Sequence, residues 1–490
     1  MTRSVSLTAL CVAGLASPAW ADLTPAELWA DWQATARSYG ATLEAGAVED
    51  RGDALVLDGM TLAYATEVEG EAVAFDFTYE EVTLTARDAQ TVVVTMPERT
   101  AFTASSTQFG ETREDSGTLE QVGMETVVTD DGTTRTYAST GERFTQVTNS
   151  APDEVAGLPA LIQTVTMTDI SSVTTFGAAG DPNAVASESA AAGLVVDVRD
   201  PEGSFSVAYQ GGGLDLDGRG TLPEGTAEDA FAVMNALDME VGYGLGPATF
   251  KIVSEVEGAA FTSSGSVGAS RTDVAFGADG IAYSGTLDGM DLTVTPAPIP
   301  VPFQGSLDEM AFALTLPTRA TPEAQGYGLR MTVAGLELSD AIWSMFDPSG
   351  QLPRDAATVR LDLGGDMRVT GDLFSEEAAN APVPPLEPQS LDIRALEVTA
   401  AGASLTGTGA LTFPVLFPQP QPVGTINLRL TGGFDLLDSL VTMGLVPADQ
   451  ATFIRGMSGV VARPAEDGAL VSEIEFTEGG GIVANGLPLQ

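Results

Sequence analysis

Residues 286–317 read "TLDGMDLTVTPAPIPVPFQGSLDEMAFALTLP", and they state one pattern twice. Leu287-Asp-Gly-Met290 is followed by Leu292 and Val294, and Leu307-Asp-Glu-Met310 by Phe312 and Leu314. A third copy, "LDGMTLAY", begins at Leu57 and leads to Leu62 and Tyr64. Apolar residues that alternate at period 2 mark a strand with one buried face. The Asp-Gly or Asp-Glu step puts two polar residues between Leu and Met, which breaks the alternation. It reads as a turn or bulge that starts each strand.

Similar runs extend in both directions: "AVAFDFTYEEVTLTA" (72–86), "TVVVTM" (91–96), "LVVDV" (194–198), "YGLRMTVAGLEL" (327–338), "TVRLDLGGDMRVTGDL" (358–373), "LDIRALEVTAAGASLTGTGALTF" (391–413) and "TINLRL" (425–430). Gly and Asp turns punctuate them. The expected fold is mainly β with a few short helices, of the α+β class. Its antiparallel, hairpin-rich sheets are extended and curve into a groove or an incomplete barrel. "GAAGDPNAVASESAAAG" (177–193) reads as a flexible loop by composition. "TDDG" (129–132) and "DLDG" (215–218) read as turns, Asp-Gly being a hairpin signal. A calcium loop starting at Asp215 would put Arg219 and Thr226 where an oxygen ligand and a Glu are required.

Helices are few. Thr24-Pro25-Ala26-Glu27 is a capping box with proline at the first helical position. Leu28, Trp29 and Trp32 follow, and Gly40 closes the helix. The two tryptophans are expected to pack on the sheet. A second helix is expected from Thr226, a third capped by Ser339 and stopped by Asp347-Pro348, a fourth from about Phe434 and a fifth from Pro447. The proline-rich "PAPIPVP" (296–302) is the best boundary, since proline cannot donate to a ladder. It separates an N-terminal β-rich region, 22–295, from a C-terminal one, 303–490, whose helices lie near 339–346 and 434–457.

The first 21 residues read as a secretory signal. Arg3 is the positive end, Val5 to Leu15 is largely apolar, and Ala19-Trp20-Ala21 is a cleavage site. The expected location is the periplasm, with the cut after Ala21. Cys11 is the one cysteine and lies inside the signal, so the exported chain carries none. No later run is long enough for a membrane helix, so no transmembrane span is expected.

Subtracting 68 acidic from 21 basic residues gives a net charge of −47. That field repels phosphate backbones, so nucleic acid is excluded as a partner. The acidity reads as a solubility device in a salty medium. The chain has no histidine. Ser-His-Asp catalysis, His-ligated zinc and a histidine switch are therefore absent. Lys251, the only lysine, completes neither a Ser-x-x-Lys arrangement nor a phosphate-binding loop. No metal or cofactor is implied. Carboxylates, hydroxyls and arginines remain, and no spacing singles out a carboxylate pair.

Three stretches carry a family resemblance: "ADLTPAELWADWQATARSYGATLEAG" (21–46), "AIWSMFDPSGQLPRDAATVRLDLGGDMRVTGDLF" (341–374), and the segments from "LEVTAAGASLTGTGALTF" through "LLDSLVTMGLVPADQ" to "GIVANGLPLQ". Together they resemble the uncharacterised Gram-negative exported family catalogued as Domain of Unknown Function 2125, and the likeness extends over essentially the whole exported chain. "DPSGQLPRDAAT" and "VANGLPL" are its most specific parts. The resemblance implies location and architecture but no catalytic residues. The ending is also loosely similar to AsmA-like and YdgA-like β-rich envelope proteins, some implicated in lipid traffic.

The leading expectation is a non-enzymatic periplasmic protein that binds an apolar, lipid-like ligand or envelope component. Leu292, Val294, Phe312 and Leu314 are its candidate groove lining, because an extended sheet must cover its apolar face or use it. One alternative is a structural or adaptor protein with a filled core, its partner another envelope protein. Another is a carboxylate-based glycan hydrolase.

Overall fold

The computed structural model describes residues 23–68, 71–108, 111–152, 159–177, 181, 183–221, 238–256, 258–296, 302–416 and 420–489. The proposed signal, the helix expected from Thr226 and residues 297–301 of the proline-rich stretch lie outside them. The chain divides into two compact units. The first is Met1–Val233, Val241–Gly246 and Phe250–Val256; the second is Met234–Glu240, Pro247–Thr249 and Glu257–Gln490.

In the first unit, α1 (Pro25–Ser38) precedes a run of antiparallel strands: β1 (Ala41–Asp50), β2 (Ala54–Val68), β3 (Glu71–Asp88), β4 (Thr91–Thr95), β5 (Arg99–Gln108), β6 (Glu111–Val122), β7 (Glu125–Asp130), β8 (Arg135–Ser150), β9 (Leu161–Phe176), β10 (Ala184–Arg199) and β11 (Phe205–Thr221). β12 (Asp238–Leu245) and β13 (Ala248–Val256) each contain residues of both units. The capping box forms as its sequence requires. The Glu27 amide donates to Thr24 Oγ1 at 3.2 Å, and the Thr24 amide to Glu27 Oε2 at 2.9 Å. α1 lays Leu28, Trp29 and Trp32 on the sheet, over Leu57, Val82, Leu84, Val92 and Val128, and this is the core of the unit. Each such side chain contributes roughly 1.5–3 kcal/mol by leaving water. Trp32 Nε1 donates to the Tyr137 hydroxyl at 3.3 Å. Arg135, nearly buried, holds Asp31 of α1 and Asp130 of β7.

The copy of the phrase at Leu57 does not start a strand, contrary to expectation. It lies inside β2. Gly59 has φ +59°, and it and Gly46 fall between the pairs Ala45↔Met60 and Ala47↔Asp58 without bridging. Leu57 and Met60 are three residues apart, yet both belong to the core. A regular strand would turn them to opposite faces. No residue is inserted, since the register is the same on both sides; the left-handed step at Gly59 flips the parity, so that both halves of β2 contribute apolar side chains to the core under α1. The irregularity continues across the unit through Glu142, Asp169, Ala192 and Gly213, which fall between bridged neighbours on β8 to β11.

Two other expectations fail in this unit. Residues 177–193 are not a loop throughout, because Ala184–Arg199 is a strand. Its small polar side chains pair across the sheet: Ser189 with Ser172 at 2.7 Å and Ser187 with Thr174 at 2.9 Å. Residues 215–218 are not a turn either; Asp215↔Ala190 and Gly218↔Ser187 are ladder pairs within β11. At 129–132 the turn is present, and Asp131 accepts from the amides of Thr133 and Thr134.

The second unit continues with β14 (Ala259–Val267), β15 (Ser270–Gly277), β16 (Gly280–Leu287), β17 (Met290–Thr295), β18 (Phe303–Leu307), β19 (Glu309–Leu316), β20 (Gln325–Leu338), α2 (Asp340–Phe346) and β21 (Ala357–Val369). There follow α3 (Glu376–Asn380), β22 (Leu386–Pro388), β23 (Ser390–Ala400), β24 (Ala403–Val415), β25 (Gln421–Thr431), α4 (Gly433–Thr442), α5 (Ala448–Val461), β26 (Arg463–Pro464), β27 (Leu470–Phe476), β28 (Ile482–Ala484) and β29 (Leu487–Pro488). Here both copies of the phrase do stand at strand starts. Leu287 closes β16 and Met290 opens β17; Leu307 closes β18 and Glu309 opens β19. The breaks face one another, with Leu287↔Met310 on one side and Met290↔Leu307 on the other. The Gly268 amide donates to the Gly289 carbonyl at 2.9 Å, and the Asp308 amide to the Ala334 carbonyl at 2.9 Å. The phrase thus marks a hydrogen-bonded seam that crosses neighbouring strands. Ser339 precedes α2 without capping it; its hydroxyl accepts from the Gln304 amide at 3.1 Å instead.

Candidate functional site

Opposed residues of an antiparallel pair share a face. The register of β16, β19, β20, β21, β23, β24, β25 and β27 therefore defines three rows that run across the strands. One passes through Tyr283, Leu314, Leu329, Leu363 and Ile393, and continues by Gly409 to Ile426 and Ile474. The next contains Phe312, Met331, Leu361, Leu396 and Leu428. The third contains Leu287, Met310, Val333, Val359, Val398, Leu405, Leu430 and Leu470. The rows contain no charged residue.

The intervening positions face the other way and are mostly polar or small. Arg330 and Arg394 flank Asp362 at 3.4 and 3.6 Å, and Arg360 meets Glu397 at 3.0 Å. Arg429 pairs with Asp467, and Arg368 with Glu387. The sheet is amphipathic across its thickness, as an antiparallel sheet with one wet face should be.

The rows differ from the strands under α1. Under α1, Leu57 and Leu84 are 0% exposed. In the three rows of the second unit no side chain is buried. Tyr283 is 42%, Met310 46% and Met331 37% exposed. The other side chains of the rows are half-buried.

All four residues named from the sequence lie on strands of this unit, but they do not form one cluster. Phe312 and Leu314 are inside the rows, and the Phe312 ring is 5.8 Å from that of Tyr283. Leu292 and Val294 lie beyond the seam, opposite Gly305 and Phe303. Leu292 is seven residues along the strand from Gly285, the partner of Phe312, roughly 23 Å at ~3.3 Å per residue. The sequence reading missed Tyr283, Met331, Leu361 and Leu396. Their alternation was visible within each strand, but their alignment needs the register.

The well-buried carboxylates hold turns. Asp347 is fully buried at the end of α2 and accepts from the amides of Leu352 at 2.9 Å and Gln351 at 2.8 Å. The Leu352 amide is the main cause that holds its carboxyl below the usual range. "DPSGQLP" is therefore a folded loop stapled by its aspartate. Asp200 does the same in the β10–β11 turn, where the Ser204 hydroxyl at 2.6 Å and the Phe205 amide at 2.8 Å lower its pKa. Among the described residues, no helix is long and apolar enough to cross a membrane, which says nothing about strands.

The family described as "Uncharacterized protein conserved in bacteria (DUF2125)" matches residues 233–489, more than half of the chain. The chain belongs to this family. The DUF2125 match takes in the amphipathic sheet, the seam at 288–289 and the "DPSGQLP" loop, while α1 and its core lie outside it. No curated protein and no solved structure matches the chain.

Proposed function

We propose that this DUF2125 protein is an exported, non-enzymatic binding protein that takes an apolar, lipid-like ligand on the uncovered face of its second unit. One observation carries the reading: the three apolar rows have no buried side chain, whereas the apolar side chains of β2, β3, β4 and β7 under α1 are buried. Burying such a face against a ligand is favourable by about 25 cal/mol per Å². The periplasm is the compartment proposed, on the strength of the signal-like opening.

The test is native mass spectrometry with lipid extraction on gently purified protein, wild type and Phe312→Asp. Retained lipid in the wild type and loss of it in a folded variant are expected. No lipid in the wild type, together with unfolding of the variant, would leave a filled structural core as the better account, since an unpaired buried charge is costly. A second reading, an adaptor for another envelope protein, draws on the α4–α5 pair. It exposes Phe453 at 69% and Leu445 at 54%. Pull-down with and without Phe453→Ser separates that reading from the first.

A further inference from the structure

We infer that the ligand carries at least two acyl chains and a headgroup without net negative charge; the inference rests on the lipid-binding reading above. The three rows cross eight strands from β16 to β27. The α4–α5 pair meets the β24–β27 end of this face, where the Ser472 hydroxyl, opposite Leu428, donates to the Val461 carbonyl. The five strands from β16 to β23 make four spacings of ~4.8 Å, about 19 Å, and the outer rows are about 14 Å apart along the strands. A bilayer's hydrocarbon core is about 30 Å thick, so one leaflet's chains are about 15 Å long. A single chain would leave most of the face in water. Two chains or more are needed to cover it, whether they lie along the strands or across them.

Charge sets the headgroup. The rows offer no cation, and Arg330, Arg360 and Arg429 face away, each already bound to a carboxylate. The chain as a whole carries −47. An anionic headgroup would meet a repulsive field with no counter-charge on the face, whereas a zwitterionic or neutral one would not.

The experiment titrates the delipidated full chain with oleate, lysophosphatidylcholine, phosphatidylcholine and phosphatidylglycerol, read by native mass spectrometry. Phosphatidylcholine should bind at least about a hundredfold more tightly than lysophosphatidylcholine, because each buried methylene of the second chain adds to affinity. It should also bind more tightly than phosphatidylglycerol at low salt, with the gap narrowing as salt rises. Tyr283→Ser and Met331→Ser replace exposed side chains and should weaken phosphatidylcholine without lowering the melting temperature. Equal affinity for one and two chains would overturn the inference on chain number, and a preference for phosphatidylglycerol the inference on charge. A lipid-free dimer that masks the face would overturn both. Binding of none of the four probes would instead remove the lipid reading itself.

Discussion

Gly59 shows how one residue sets the facing of a whole strand. Its φ of +59° lies in the left-handed region, and a Cβ added there would meet only the Gly46 amide nitrogen, at 4.0 Å. The obstacle to substitution is therefore the backbone, not space. Gly59→Ala should cost about 1–2 kcal/mol by denaturant unfolding, and Gly59→Asn less, because a short polar side chain tolerates this conformation. Equal stability of all three would mean that β2 relaxes into another conformation. Asp347 acts at the same scale. Its folded pKa is depressed, so its contribution is complete above the ordinary carboxylate value of about 3.9 and is lost as pH falls through the folded value. Asp347→Ala should lower the denaturant midpoint at neutral pH. The gap to wild type should narrow in acid, and a constant gap would assign the effect to packing alone.

Elements succeed or fail by what covers them. α1 is specified locally by its capping box, and the Leu28, Trp29 and Trp32 side chains then need a surface. β2, β3, β4 and β7 provide it. Leu84 is 0% exposed there, and Leu84→Ala should cost about 2–5 kcal/mol in thermal or denaturant unfolding. A loss under 1 kcal/mol would indicate that the core collapses to fill the space. β10 is the opposite case. Its residues 184–193 have the composition of a linker, and they become a strand because Ser187 and Ser189 find hydroxyl partners on β9. Such partners are far apart in sequence, so no local pattern announces them.

At the scale of the molecule, charge opposes compactness. With 68 acidic and 21 basic residues, most carboxylates have no cation to pair with. The melting temperature should rise when sodium chloride is raised to about 1 M, where the Debye length is ~3 Å. A flat response would show that the acidic side chains are too far apart to repel one another. The proposed lipid-binding face adds a second expectation: because a bound ligand stabilises the folded state by mass action, lipid extraction should lower the melting temperature, and an unchanged value would count against the proposal.

Alternation in "AFALTL" and "RLDLGG", the capping box at Thr24 and the Leu-Asp-x-Met phrase were enough to determine an antiparallel β protein with few helices, because each is a property of neighbours in the chain. The phrase even announced a break in the alternation. Only the tertiary structure decided that the break is a parity-changing left-handed step within β2 and a shared seam at β16–β19, since each is defined by the strands beside it. Likewise, Phe312 and Leu314 were legible as one-faced. That they join Met331, Leu361 and Leu396 in one apolar face with no buried side chain, while Leu57 lies buried under α1, depends on register and on a covering layer. Both are set by contacts between residues distant in sequence.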